Sequence, residues 1–332
     1  MELTTVWFLV IAGLWIGYFV LEGFDFGVGM LPRILGRNEP EWRAVITTIG
    51  PVWDGNEVWL IVAAGATFAA FPDWYATLFS GFYLPLFAIL ISLILRGVAL
   101  EYRGKRDDPP WRRRMDTLIT VGSLVPALLW GITFANLVRG IPIDARHEFV
   151  GGLGDLFGPF ALLGGVAFTV LFVAHGAIFV ALKTTGEIRQ RANRLAALGG
   201  VAAVVLTGGF LGWSHGLRGD NASVVVAGVA VVALLCGLLA NRLGGEGWAF
   251  VGTTVAVGLT VASLFVAMFP AVLPSTLDPA WSLTTANAAS TPYTLRVLTV
   301  IAAIFMPLVM LYQGWTYWVF RRRITVEPVA VR

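Results

Sequence analysis

Apolar residues follow one another along this chain in runs too continuous to be the one-sided stripe of a surface helix. A helix needs ~20 apolar residues to cross ~30 Å of hydrocarbon. Nine runs meet that need, at approximately 4–31, 45–71, 74–102, 115–139, 155–182, 194–214, 222–241, 247–270 and 294–320. The breaks carry turn chemistry: Pro32, Phe71-Pro72-Asp73, Asp107-Asp108-Pro109-Pro110, Gly151-Gly152, His215-Gly216, Gly244-Gly245 and Pro270. Most polar connections are short, the longest being roughly 139–154 and 271–293. Short connections make consecutive helices antiparallel neighbours. The pattern therefore predicts an all-α integral membrane protein with nine transmembrane helices, a single polytopic membrane domain over 1–332.

Composition agrees, with 57% of the 332 residues apolar and only 13% charged. The net charge of +3 arises from basic residues grouped in short connections, not from a basic face, so nucleic acid is excluded as a partner. Cys236 is the one cysteine and lies in an apolar run, which rules out an internal disulfide and a thiolate metal cluster. The first run has no basic leader and continues to Leu31 without a small-residue cleavage site, so it reads as a retained span.

Basic residues then orient the chain. Arg33, Arg37 and Arg43 follow the first run; Arg103, Lys105, Arg106, Arg112, Arg113 and Arg114 follow the third. Lys183, Arg189, Arg191 and Arg194 follow the fifth, Arg242 the seventh, and Arg321, Arg322, Arg323 and Arg332 the ninth, making eighteen of the 23 basic residues. Arg139, Arg146 and Arg218 are alone on the other side. The expectation is an N-terminus outside and a C-terminus in the cytoplasm.

An ionisable group inside a span costs a few kcal/mol on the mildest scales, so each one needs an explanation. Glu22 and Asp25 lie one turn apart near the cytoplasmic end of the first span, Asp25 roughly 10 Å from that end. In Trp53-Asp54-Gly55-Asn56-Glu57-Val58-Trp59, counting from residue 45 puts Asp54 about 15 Å inside and Glu57 one turn deeper on the same face. Arg96 and Glu101 enter the same half from the third span, and His175 from the fifth. Such a ladder suits a proton path, because trapped water, carboxyls and imidazole exchange protons readily. Polar pairing between helices is the rival reading, for instance Arg96 with Glu101 or Asp25, but four deep carboxyls against one arginine leave a surplus that must be protonated or solvated. For His175, a hydrogen-bonded core histidine is at least as common as a relay. With His147 and His215 in or beside outside loops, His175 is the one intramembrane imidazole, which excludes a bis-histidine haem. Met268 and Met306 read as packing residues.

Gly23-Phe24-Asp25-Phe26-Gly27-Val28-Gly29-Met30-Leu31 with Leu35-Gly36-Arg37-Asn38, and then Trp53-Asp54-Gly55-Asn56-Glu57-Val58-Trp59-Leu60, resemble the first two spans of subunit II of cytochrome bd-type quinol oxidases. Phe79-Ser80-Gly81-Phe82-Tyr83, Arg96 with Tyr102-Arg103, and Met268-Phe269-Pro270 with Leu273-Pro274-Ser275 extend the resemblance over nearly the whole chain. It implies two four-helix bundles plus a peripheral helix, in a bacterial inner membrane. It also implies a heterodimer with subunit I, which carries two haems b, one haem d and the quinol site, with no cofactor held by this chain alone. Quinol and O2 would be the substrates of the complex, and cytoplasmic protons would supply the water formed. Small accessory subunits and a structural quinone or lipid are compatible with it. By position, Asp25 and Asp54 would belong to the proton supply, with Trp53, Trp59 and Arg96 around it, and an outside loop near 215–222 is trimmed. A proton-coupled transporter and a purely structural membrane subunit are the alternatives.

Overall fold

In the computed structural model, which describes residues 2–325, the apolar runs are helical. Arg332, counted above with the basic groups, lies outside the described residues. In chain order the helices are α1 (Leu3–Met30), α2 (Pro32–Leu35), α3 (Glu39–Thr47), α4 (Trp53–Ala70), α5 (Pro72–Gly81), α6 (Tyr83–Tyr102), α7 (Pro109–Arg139), α8 (Pro159–Lys183), α9 (Gly186–Arg218), α10 (Asn221–Arg242), α11 (Glu246–Met268) and α12 (Pro292–Val319). Among the described residues, eight of these are long and apolar enough to cross a membrane: α1 and α6 to α12. The ninth expected span is α4, long enough at 18 residues but not apolar enough, because it opens with Asp54, Asn56 and Glu57.

Two expected spans are broken, for reasons of backbone chemistry. The run 45–71 divides at 48–52 into the end of α3 and the start of α4. Gly50-Pro51 lies in that turn, where proline withholds a helical donor and turns the preceding residue from helical angles. The run 74–102 divides at Phe82, between Gly81 and an α6 that carries Pro85 in its first turn.

Helix α1 is the centre of the molecule, packed against α4, α7, α8 and α11, and 17 of its residues are buried. Missing side chains allow this crowding. A Cβ on Gly27 would stand 2.9 Å from the Gly176 Cα of α8 and nearer still to the Phe172 carbonyl oxygen, and one on Gly17 would meet the Trp59 ring. Beyond α8 the chain folds back through tight turns at Gly186 (φ +66°) and Gly244 (φ +78°), so that α8–α9 and α10–α11 pack as adjacent pairs. In contrast, α12 buries only Leu295 and touches α1 and α4 along one face. Its exposed side carries Ile304, Phe305, Leu308, Leu311, Tyr312 and Trp315.

The two longest connections fold over each other at one end of the bundle. A short antiparallel ladder joins β1 (Ala271–Leu273) to β2 (Leu283–Thr284), Ile141 pairs with Ser275, and the Ser275 hydroxyl donates to the Ile143 carbonyl at 2.7 Å. Most of the basic residues lie at the opposite end, called the basic end below.

Candidate functional site: a buried acid cluster beside α1

Three helices bring the intramembrane charges together. Glu22 and Asp25 of α1, Asn56 of α4 and Arg96 of α6 are all 0% exposed. Close packing sets Arg96 in place, because Gly122 of α7 leaves room for the α6 backbone: a Cβ there would stand 2.7 Å from the Arg96 Cβ and the Ser92 carbonyl. The Arg96 guanidinium donates to Glu22, lies 4.0 Å from Glu57 and sits 5.0 Å over the Phe26 ring. The Asn56 amide donates to Asp25 Oδ2 at 2.7 Å, while its carbonyl accepts from the Tyr317 hydroxyl at 2.7 Å and the Gln313 amide at 2.9 Å.

One guanidinium thus faces three carboxyls. It neutralises one, and the others are tolerable in a dry interior only if they hold protons or meet water. Four atoms of the cluster, Glu22 Oε2, Asp25 Oδ1, Arg96 Nε and Arg96 Nη2, are buried without a protein partner. Buried polar atoms demand hydrogen bonds, and a site with this many polar atoms is one that water can enter. Chemically, the arrangement can take up, hold and release protons.

The remaining sequence-derived residues fall elsewhere. Asp54 is exposed on the chain surface in the first turn of α4, so the depth counted along an unbroken helix from residue 45 does not apply. Glu57 is partly exposed, one turn further on. Trp53 lies over Gly97 of α6 and Trp59 over Gly17 of α1. Glu101 is exposed at the end of α6, on a cavity of about 680 Å³ shared with Glu39, Arg43 and Lys105, and does not join the buried acids. Arg96 pairs with Glu22, not with Glu101 or Asp25. His175 is buried between α1 and α11, its ring nitrogens 2.8 Å from the Thr253 hydroxyl and 3.3 Å from the Val20 carbonyl, and it stacks on Phe250. Both nitrogens have partners and neither partner is a carboxyl.

Sequence reasoning missed Gln313 and Tyr317, which close the cluster from α12. It also missed a second ionic knot at the basic end. Asp116, 3% exposed, accepts from Arg33 at 2.5 Å and from Arg103 at 2.5 Å, and Arg103 forks onto Glu39 at 2.9 and 3.1 Å. An acid at the start of an apolar run, amid six basic residues, was the available signal. A third knot joins Glu246 to Arg189 at 2.6 Å and to Arg323 at 3.6 Å, tying the end of α12 to α9 and α11.

Among the described residues, His175 has both ring nitrogens engaged, and no group of three histidine, cysteine or acidic side chains could hold a metal ion.

Residues 3–320 match the family described as cytochrome bd terminal oxidase subunit II. The chain is 42% identical to the cytochrome bd ubiquinol oxidase subunit 2 of Bacillus subtilis, over 99% of both chains. It is 35% identical to the cytochrome bd-I ubiquinol oxidase subunit 2 of Escherichia coli K12, over 98% of this chain and 96% of that one. Its fold is similar to a chain in the structure of the bd oxidase from Geobacillus thermodenitrificans, with a TM-score of 0.76 at 16% identity, over 96% of this chain and 99% of that one. A full-length family match, two full-length relatives well above 30% identity and a shared helical fold lead to one conclusion: this chain belongs to the cytochrome bd terminal oxidase subunit II family.

Proposed function

We propose that this chain is the haem-free subunit of a bacterial inner-membrane cytochrome bd quinol oxidase, and that its buried acid cluster feeds cytoplasmic protons toward a haem-bearing subunit I. The observation that carries the reading is the convergence of buried Glu22, Asp25 and Arg96 with the partly exposed Glu57 within a chain of this family. Subunit I, with two haems b and one haem d, would oxidise quinol and reduce O2 to water. In this reading α4 counts as the ninth span, α1, α4, α6 and α7 form one bundle, α8 to α11 form the other, and α12 is peripheral. An exposed acid such as Asp54 is costly against lipid, so the face bearing Asp54 and Glu57 beside α12 is where subunit I covers the chain. Asp54 then hands protons across that boundary.

Orientation is the first thing to check. Reporter fusions after Arg114 and after Arg323 are expected to report the cytoplasm, and one within 271–293 the outside. The reverse pattern would place the acid cluster on the wrong side for cytoplasmic protons.

The proton role is tested by Asp25→Asn and Asp54→Asn in the assembled complex. Each keeps the shape and removes the titratable group. Expected are normal yield and haem content, normal O2 binding, and turnover slower by about tenfold or more, a barrier rise of at least ~1.4 kcal/mol in proton-consuming steps. A structural brace is the second reading, favoured by the buried Arg96–Glu22 pair. It predicts that yield and haem content fall together while the surviving complexes turn over normally.

A further inference from the structure

Asn56 is the one neutral side chain at the centre of the charged cluster, and its amide is held from both ends. Nδ2 donates to Asp25 Oδ2 at 2.7 Å. Oδ1 accepts from two groups on α12, the Tyr317 hydroxyl at 2.7 Å and the Gln313 amide at 2.9 Å. This orientation suits an ionised Asp25, which can only accept. A protonated Asp25 can also donate, and what it then needs opposite is a carbonyl. Turning the Asn56 amide by half a turn about its last side-chain torsion supplies one, provided the groups on α12 can accept the amide protons that now face them. Both can: a phenol donates or accepts, and a glutamine carries a donor and an acceptor on the same amide.

We propose that Asn56, Tyr317 and Gln313 form a reversible hydrogen-bond set that keeps Asp25 partnered in both of its protonation states, so that a proton can load and leave without stranding a buried polar group. The inference rests on the proton-supply reading above and adds positioning residues to it. The atoms balance simply. A proton arriving from water bonds to Asp25 Oδ2, Asn56 turns, and that O–H donates to Asn56 Oδ1. The Gln313 amide turns as well and the Tyr317 hydroxyl hydrogen swings away from Asn56, so that Asn56 Nδ2 donates to the Tyr317 oxygen and the Gln313 carbonyl. Departure of the proton reverses each bond, and Asn56 itself neither gains nor loses one. The charged groups around this exchange are Glu22 beside Asp25 on α1, Glu57 on α4 and Arg96 on α6. Tyr317 also lines a cavity of about 240 Å³ with Thr48, Val52 and Lys183.

Arranging donors and acceptors for only one state would leave the other with an unpaired buried atom, costing ~1–3 kcal/mol, or roughly five- to 150-fold in a rate that passes through it. The test uses Tyr317→Phe, Gln313→Leu and Asn56→Leu in the complex co-expressed with its partner subunit, beside Asp25→Asn. Three readouts are taken: haem content, the rate of proton-consuming steps after O2 binds, and the infrared carboxyl band that Asp25→Asn removes. Tyr317→Phe is expected to keep haem content and O2 binding, slow the proton-consuming steps about tenfold, and shift the Asp25 band. Added to Asn56→Leu, Tyr317→Phe is expected to slow them no further, because its effect passes through the amide. Should Asn56→Leu fail to assemble, the two α12 variants decide through the rate and the band. Wild-type rates and an unmoved band in both α12 variants, with Asp25→Asn slow, would overturn the inference and leave the proton path standing. Wild-type turnover in Asp25→Asn would overturn both.

Discussion

Replacing Arg96 with Met is expected to remove most of the assembled complex from the membrane. The side chain is wholly buried, and it is the cation paired with Glu22 and 4.0 Å from Glu57. Deleting one partner of a buried ion pair strands the other, which costs about 3–5 kcal/mol. That is comparable to a large part of the stability of an ordinary domain. The variant is compared with Arg96→Met combined with Glu22→Gln, which removes both charges of the closest pair. Yield and thermal stability in detergent should recover in part, since a neutral pair of similar shape leaves fewer unpaired atoms. Equal losses in the single and double variants would show that packing around Arg96, not charge, is what the site needs.

Gly27→Leu is expected to be as damaging for a different reason. Even the first carbon of a side chain at Gly27 would press on the Phe172 carbonyl and the Gly176 Cα of α8. Both are backbone, so relief requires α1 and α8 to separate where they cross. Overpacking of this kind costs ~1–3 kcal/mol when flexible side chains can yield, and more where they cannot. Gly13, with nothing within 4 Å of its would-be Cβ, is the control. Gly13→Leu should leave yield and melting temperature close to wild type. A Gly27→Leu complex of normal stability would mean that α1 and α8 are not held as closely as described.

The chain expressed without its partner subunit is expected to carry no haem, because its buried imidazole is already bonded at both nitrogens. A stoichiometric haem spectrum from the isolated chain would refute this.

How much of this was legible beforehand depends on the distance over which each feature is decided. The helical runs were readable because a hydrocarbon solvent leaves a chain no other way to pair its backbone, whatever its neighbours do. The basic clusters, and Glu22, Asp25 and Arg96 as charges set within apolar runs, were readable for a related reason: a charge in an apolar run is conspicuous in one dimension. The breaks at Gly50-Pro51 and before Pro85 were also written locally, but hydropathy averaged over a span hides them. With the first break went the depth assigned to Asp54. Pairing could not be read at all. That Arg96 meets Glu22 and not Glu101 follows from which helices cross and at what height, set by glycines such as Gly122 and Gly27. Glu101, five residues from Arg96, lies exposed at the helix end, while His175 was drawn aside by a hydroxyl and a carbonyl on helices distant in sequence. Gln313 and Tyr317 look like ordinary interfacial residues until α12 is laid against α4 and their donors reach Asn56. Solvent alone dictates which residues are buried in lipid, and the sequence records it. Which buried groups become partners is decided by helix packing, because a hydrogen bond needs atoms within about 3 Å and only the assembled tertiary structure specifies positions that closely.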